Sequence, residues 1–325
     1  MESYIDCSNL KPIGKGVTAV TYILDEDKVI KAYKKGISLE LIEAERRVSE
    51  VICAYGVRTP VCYETVRTEE WYGNVYQAMR GGTFTSKLMS ADSDGMREWM
   101  VKYAGLAKSL HGVCAGDDID DVKEYLGKHL ELSRNVLTDE AYSFIKKTLE
   151  CFPKTSNLLH GDMSSGNIMI DDGELYFIDL ATVAKGHPVY DLTVPYMVTN
   201  MWPKFAKMAN GMTEAEREAE PDWFNYLNRY TEKALSEEMG IIAWRCFIKE
   251  YFSLSSEEDE FIERVTELIH FISMTKYSMS GSFISIYPEV LVRKMADFYS
   301  SELYSCREAD LELLKDVRWN IQKAE

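Results

Sequence analysis

The chain lacks any run of about eighteen apolar residues, so no segment of it is long enough to cross a bilayer as a helix. Its first residues, Met1-Glu2-Ser3-Tyr4-Ile5-Asp6, have neither the basic stretch nor the apolar stretch of a signal peptide. The cysteines (Cys7, Cys53, Cys62, Cys114, Cys151, Cys246 and Cys306) are odd in number and widely spaced, which fits neither a zinc site nor a disulfide frame. They are expected to be reduced thiols in apolar surroundings, as in a cytoplasmic protein. Excess positive charge is missing too: the net charge of −16 excludes unspecific nucleic-acid binding, which needs clustered Lys and Arg. No nucleic-acid or membrane partner is expected. There is no internal repeat and no low-complexity tract. With 46% hydrophobic and 28% charged residues over 325 positions, what remains is an ordinary globular chain of one large or two modest domains.

The acidity is uneven. Residues 1–80 carry 11 of the 37 basic and 12 of the 53 acidic residues, a balance of −1, which leaves −15 for the remainder. That field would favour a cationic small-molecule partner, although acidity also serves solubility.

The chain is organised around Leu158-Leu159-His160-Gly161-Asp162-Met163-Ser164-Ser165-Gly166-Asn167-Ile168-Met169-Ile170. An apolar run delivers Asp162 into a short polar loop, and Asn167 leads into a second apolar run. Phosphoryl transfer from ATP to a hydroxyl needs a carboxylate to orient the hydroxyl and take its proton, with an oxygen donor nearby for magnesium. Asp followed five residues later by Asn is that arrangement. Asp172-Gly173 is a two-residue hairpin signal, so Ile168–Asp171 and Glu174–Ile178 should pair antiparallel. The hairpin would bring Asn167 and Asp179 to one open end, as two hard oxygen ligands for Mg2+.

Upstream, Ile13-Gly14-Lys15-Gly16-Val17-Thr18-Ala19 sets Gly14 and Gly16 between β-prone runs, where glycine lets the backbone bend close to a phosphate chain. Lys28-Val29-Ile30-Lys31-Ala32-Tyr33 reads as a strand in which Val29, Lys31 and Tyr33 share a face, so Lys31 sits among apolar neighbours. From Ser38 the pattern turns helical, with Leu41, Val48, Ile52 and Tyr55 as the apolar stripe. Glu45 falls within that stripe, and a carboxylate there is costly unless paired. It is therefore the expected partner of Lys31, with Glu43 the second choice. Gly56 and Pro60 end the helix.

These motifs together resemble the family of aminoglycoside phosphotransferases and choline-kinase-like small-molecule kinases, over a little more than half the chain. His160-Gly161-Asp162 is similar to the family's catalytic loop, and Gly56-Val57-Arg58-Thr59-Pro60 to the turn after its first helix. Asp179-Leu180-Ala181 stands where protein kinases have Asp-Phe-Gly, so the metal ligand is kept and the following side chain is not. The resemblance implies an α+β, two-lobed protein-kinase-like fold. Residues 1–80 would be a nucleotide-binding lobe with a small antiparallel sheet and one helix, and residues 81–325 a larger, mainly helical lobe.

It further implies ATP and Mg2+ as cofactors and a small-molecule hydroxyl acceptor such as an aminoglycoside, an amino alcohol or a sugar-like compound. Asp162 would be the base. The Gly14 to Gly16 loop would shield the γ-phosphate, Lys31, fixed by Glu45, would hold the α and β phosphates, and Gln77 and Met79 in the linker Gln77–Gly82 would hold the adenine, with Gly81 and Gly82 freeing the hinge unless they form only an interdomain turn. Asn167 and Asp179 would bind the metal. Asp191 would brace the catalytic loop, unless it is only a helix N-cap, and His111 would pack beneath it. The acid-rich stretches 213–220 and 255–263, with Trp202, Trp223, Trp244, Tyr226 and Tyr230, offer carboxylates and rings to an acceptor; core packing explains the same rings. A nucleotide-binding pseudoenzyme and a protein kinase are the alternatives. Against the second, the twelve residues from Asp179 to Asp191 leave no room for an activation segment, and no Ala-Pro-Glu follows.

Overall fold

Alternating β-branched and aromatic residues build strands in the first eighty positions, and apolar residues at three- and four-residue spacing build helices in most of the rest. The computed structural model describes residues 3–16, 18–255, 257–284 and 286–321. In chain order the elements are β1 (Tyr4–Ile5), β2 (Pro12–Lys15), β3 (Ala19–Ile23), β4 (Lys28–Tyr33), α1 (Leu39–Ala54), β5 (Cys62–Thr68), β6 (Tyr72–Gln77), α2 (Phe84–Met89), α3 (Ser93–His111), α4 (Val122–Leu132) and α5 (Asp139–Glu150). Then come β7 (Leu158–Leu159), β8 (Ile168–Asp171), β9 (Glu174–Phe177), β10 (Ala184–Lys185), α6 (Val189–Tyr196), α7 (Trp202–Gly211), α8 (Glu214–Ala219), α9 (Pro221–Asn228), α10 (Glu237–Tyr251), α11 (Asp259–Ser278) and α12 (Glu289–Ser305).

Two compact units result, 1–86 with 166–183, and 87–165 with 184–325. In the first, six strands lie in the order β1-β5-β6-β4-β3-β2. All pairs are antiparallel except the short β1 beside β5. One face buries Cys7, Ile30, Val66 and Val75. The other packs Ala19 and Tyr33 against Ile42 of α1.

Helix α1 begins where the helical pattern is expected to start, and Ser38 is its N-cap, with a side chain that accepts from Leu41 N–H at 3.3 Å. It ends at Gly56, whose positive φ of 74° closes the helix as C-terminal glycines do. Its buried stripe differs from the one expected. Leu41 is 64% exposed, and the inward residues are Ile42, Glu45, Ser49 and Ile52. Two of those four are polar, so a stripe drawn through apolar side chains alone was rotated away from the true face.

The hairpin belongs to the first unit, and β8 and β9 pair from Ile168↔Phe177 to Asp171↔Glu174. Asp172 (φ 47°) and Gly173 (φ 76°) form its turn, both left-handed as a two-residue hairpin requires. The Gly81–Gly82 segment is hydrogen-bonded to β8. Gly81 N–H donates to Ile170 C=O at 2.8 Å, and Ile170 N–H donates to Gly82 C=O at 2.9 Å. A Cβ on Gly81 would lie 2.6 Å from the Ile170 oxygen, so glycine is needed there for close approach.

The second unit is helical apart from β7, which pairs antiparallel with β10. Helix α10 lies along α3, and α11 packs on α6 and α12. Phe247, Leu268, Phe271 and Tyr299 are fully buried among them. The first acid-rich stretch is outer surface, where α8 buries no residue, whereas the second buries Phe261 and Ile262 and leaves Glu257, Asp259, Glu260 and Glu263 exposed. The second becomes helical only from Asp259, whose carboxylate pairs with Arg245 and Lys249, and Ser256 within it lies outside the described residues. Trp223, Trp244 and Tyr226 are buried, so packing claims them, while Trp202 and Tyr230 stay partly exposed. Of the cysteines Cys7 and Cys62 are buried, Cys53, Cys246 and Cys306 are partly buried, and Cys114 and Cys151 are exposed. No helix among the described residues is long and apolar enough to cross a membrane.

Candidate active site

In the first unit the site is built on β4, α1 and the hairpin. Lys31 Nζ lies 2.7 Å from Glu45 Oε1 and 2.8 Å from Asp179 Oδ1. Glu43 takes no part; it faces Arg47 at 3.8 Å on the outer side of the helix. The Glu45 carboxylate is only 7% exposed. It is satisfied by three donors: the Lys31 ammonium, the Tyr33 hydroxyl at 2.7 Å and the Tyr76 hydroxyl at 3.2 Å. Burial and then the Glu45 charge push both phenols well above their ordinary range, so they remain donors. Burial alone would lower the Lys31 ammonium, but the charges of Glu45 and Asp179 outweigh it and hold it above 10.5. Asn74, fully buried, donates to Ile42 C=O at 3.0 Å and accepts from Thr65 at 2.7 Å, tying α1 to the sheet beside the pair.

Asp179 is reached through the hairpin. Ile178 N–H donates to Asn167 C=O at 2.9 Å, one rung beyond the last β8–β9 pair, so Asn167 and Asp179 share the open end. Asp179 has φ 61° and ψ 67°, a left-handed conformation uncommon outside glycine. Strain of this kind concentrates at functional positions. Its carboxylate is 49% exposed. Among the described residues no group of three or more His, Cys, Asp or Glu gathers as a metal cage. One carboxylate and one amide suit magnesium, which keeps several coordination positions for phosphate and water.

Gly14 is paired with Thr21 across β2 and β3, and Gly16 N–H donates to Ala19 C=O at 2.9 Å. Val17 lies outside the described residues. Gln77 closes β6, with its N–H on Val61 C=O at 2.9 Å, and Met79 lies two residues further on, partly buried.

In the second unit the loop after β7 carries Asp162. Fully buried Asp191 accepts from His160 N–H at 2.7 Å and from Gly161 N–H at 2.8 Å. It sits inside α6, whose N-cap is Pro188, so the capping role is excluded. His111 Nε2 is 3.1 Å from Asp191 Oδ2, and its Nδ1 is 2.7 Å from the Tyr251 hydroxyl. A carboxylate only accepts, so Nε2 carries the hydrogen. Burial alone would raise the Asp191 carboxyl, but the bond and charge from His111, with help from His160, hold it below 3.8. Asp162 N–H itself donates to His160 Nδ1 at 3.3 Å. The sequence pattern did not single out Tyr33, Tyr76, Asn74 or Lys276. Tyr33 alone carried a signal, two residues from Lys31 on the same strand face.

No curated protein matches this chain in sequence. Solved structures do match in shape. A choline/ethanolamine kinase family protein from Mesorhizobium loti is 12% identical, covers 97% of this chain and 93% of its own, and has a TM-score of 0.57. The gentamicin complex of APH(2″)-IIa is 16% identical over 94% and 93%, with a TM-score of 0.52. The ADP-bound aminoglycoside phosphotransferase APH(2″)-Ib is 15% identical over 94% of each chain, with a TM-score of 0.51. At such identities the likeness establishes the fold. Sequence establishes more: residues 9–226, well over half the chain, match the model of the phosphotransferase enzyme family, and the chain belongs to that family.

Proposed function

We propose that this phosphotransferase moves the γ-phosphoryl group of ATP, with Mg2+, onto a hydroxyl of a small molecule. The observation that carries the reading is Lys31 held between buried Glu45 and half-exposed Asp179, at the end of the hairpin that also presents Asn167. Lys31 would hold the α and β phosphates, with Glu45 fixing its direction. Asn167 and Asp179 would hold magnesium, which when bound offsets the negative charge of the phosphates. Asp162 orients the acceptor hydroxyl and takes its proton as the oxygen bonds to phosphorus and ADP leaves. Gln77 and Met79 would hold the adenine.

Gly14 and Gly16 support the reading by what they do not do. Neither has a positive φ, and a Cβ on either would meet nothing closer than 3.5 Å. The fold therefore does not demand glycine at these positions, whereas a phosphate chain lying close against the backbone would.

The neighbours that hold ADP and gentamicin, and the one of the choline/ethanolamine kinase family, make ATP the first donor to try and aminoglycosides and amino alcohols the first acceptors. The test is magnesium-dependent ADP release across aminoglycosides, amino alcohols, sugars and nucleosides, beside an Asp162→Asn control. A hit reduced about 10³-fold in the control supports the assignment. Unchanged turnover in the control removes Asp162 from its role, and release driven only by added proteins would favour a protein kinase.

A further inference from the structure

Within the second unit, the peptides around Asp162 are gripped by side chains from three helices. Asp191 of α6 takes the N–H groups of His160 and Gly161. The Tyr103 hydroxyl of α3 donates to Met163 C=O. The Gly161 carbonyl, one bond from the Asp162 nitrogen, is held from α11: Lys276 Nζ lies 3.3 Å from that oxygen and 3.3 Å from Thr193 Oγ1. The same ammonium stands over the Tyr190 ring, 4.0 Å from its centroid.

A lysine is an expensive choice for this place. Its ammonium gives up water and gains two carbonyl or hydroxyl acceptors and a ring face, where a methionine would fill the space without desolvating a charge. None of the phosphate-, metal- or adenine-holding roles above uses it. What it contributes is a grip on the carbonyl side of the Gly161–Asp162 peptide, whose N–H donates to His160 Nδ1, next to the peptides whose N–H groups Asp191 holds.

We propose that Lys276 is a positioning residue for phosphoryl transfer: its charged ammonium grips the Gly161 carbonyl and so fixes the direction in which the next residue, Asp162, presents its carboxylate. The proposal rests on Asp162 being the base. Small misplacements of a base lower turnover steeply while leaving nucleotide binding alone.

The grip weakens once the ammonium loses its charge, because a neutral amine donates a weaker hydrogen bond to the same carbonyl. The groups facing it are Asp162 on the loop, Asp191 and Tyr190 on α6, Tyr277 on α11 itself, and His129 on α4, whose imidazole is pushed down by burial and by Lys276. Burial pushes Lys276 down to about 8, against the pull of Asp162 and Asp191. Because that value lies below the ordinary 10.5, losing the proton relieves a cost of folding. From about 8 upward the loss of this proton relieves that cost, so the titration of Lys276 does not itself unfold the protein, and the melting temperature separates any unfolding from the loss of the grip.

The experiment compares wild type, Lys276→Met, Lys276→Arg and Asp162→Asn. It measures ADP release from Mg-ATP with water, gentamicin and ethanolamine as acceptors, between about pH 6 and about pH 10. Amide hydrogen exchange over Gly161–Met163 and the melting temperature are read alongside. Lys276→Met should lower kcat by about ten- to a hundredfold with KM for ATP unchanged, and speed exchange in the loop. Wild type should lose turnover above about pH 8, and Lys276→Arg should restore most of kcat and remove that alkaline fall. Wild-type kcat and exchange in Lys276→Met, or the same alkaline fall in Lys276→Arg, would overturn the proposal. If Lys276→Met melts early, the Lys276→Arg profile decides alone. Wild-type turnover in Asp162→Asn strikes the base assignment instead, and the exchange result then still reads the grip by itself.

Discussion

Two buried carboxylates do different work in the two units. Glu45 faces a lysine and two phenols, and through Lys31 it is linked to Asp179, which is half open to solvent. Asp191 faces two backbone N–H groups and a histidine, and nothing in that set is a ligand-holding cation. Glu45 orients a group that can act on something outside the protein. Asp191 shapes the chain itself, by holding the backbone of the loop that carries Asp162. A carboxylate at a site thus reveals its role through its partners more than through its burial.

The largest effect should follow from removing the brace. Asp191→Ala leaves two buried N–H donors and a histidine without their acceptor, and should cost about 3–5 kcal/mol in urea unfolding. Turnover should fall with it. A wild-type urea midpoint would erase the contrast, because the loop would then hold its shape unaided. Tyr33 and Tyr76 donate to different oxygens of Glu45, so Glu45→Gln keeps the acceptor of one, turns an NH2 toward the other and removes the charge of the ion pair; a smaller cost of about 1–3 kcal/mol is expected. Its signature is functional: ATP affinity should weaken, by isothermal titration with Mg-ATP, while Asp191→Asn should leave that affinity nearer to wild type.

The two regions should also fail at opposite ends of the pH scale. Asp191 is held below 3.8, so its contribution is fully present above that value and lost as pH falls through the depressed one. Lys31 is held above 10.5, so its contribution is fully present below that value and lost as pH rises through the raised one. Thermal melts across pH should show Asp191→Asn losing part of the acid sensitivity of wild type and Lys31→Met losing part of the alkaline sensitivity. If both variants change the same limb, the separation drawn here is wrong.

The hairpin and the Lys31–Glu45 pair were legible because local chemistry dictates them. Asp-Gly demands a two-residue turn, and a glutamate on a helix face that turns inward demands a cation. Lys276 and Tyr76 were not legible, because their partners lie far along the chain: 115 residues separate Lys276 from Gly161, and 31 separate Tyr76 from Glu45. No periodicity or turn signal reports such a distance. The close approach of Gly81 to Ile170 was not legible for a related reason, since glycine signals backbone freedom and backbone crowding with the same letter.

The smallest expected effect tests where α1 faces. An apolar stripe through Leu41 leaves Glu45 at its edge; the observed stripe through Ile42, Ser49 and Ile52 puts Glu45 at its centre, against the sheet. Leu41 is mostly exposed and Ile42 is fully buried, one residue and about 100° apart on the helix. Leu41→Gln should therefore change unfolding free energy by less than about 0.5 kcal/mol. Ile42→Ala should cost about 2–5 kcal/mol, because it empties the space between α1 and the Tyr33 side of the sheet. ATP affinity separates the pair further: Ile42→Ala loosens the helix that aims Glu45 at Lys31, whereas Leu41→Gln touches neither. Equal costs for the two would mean the helix is rolled from the orientation seen, and the ion pair would lose the packing that fixes it.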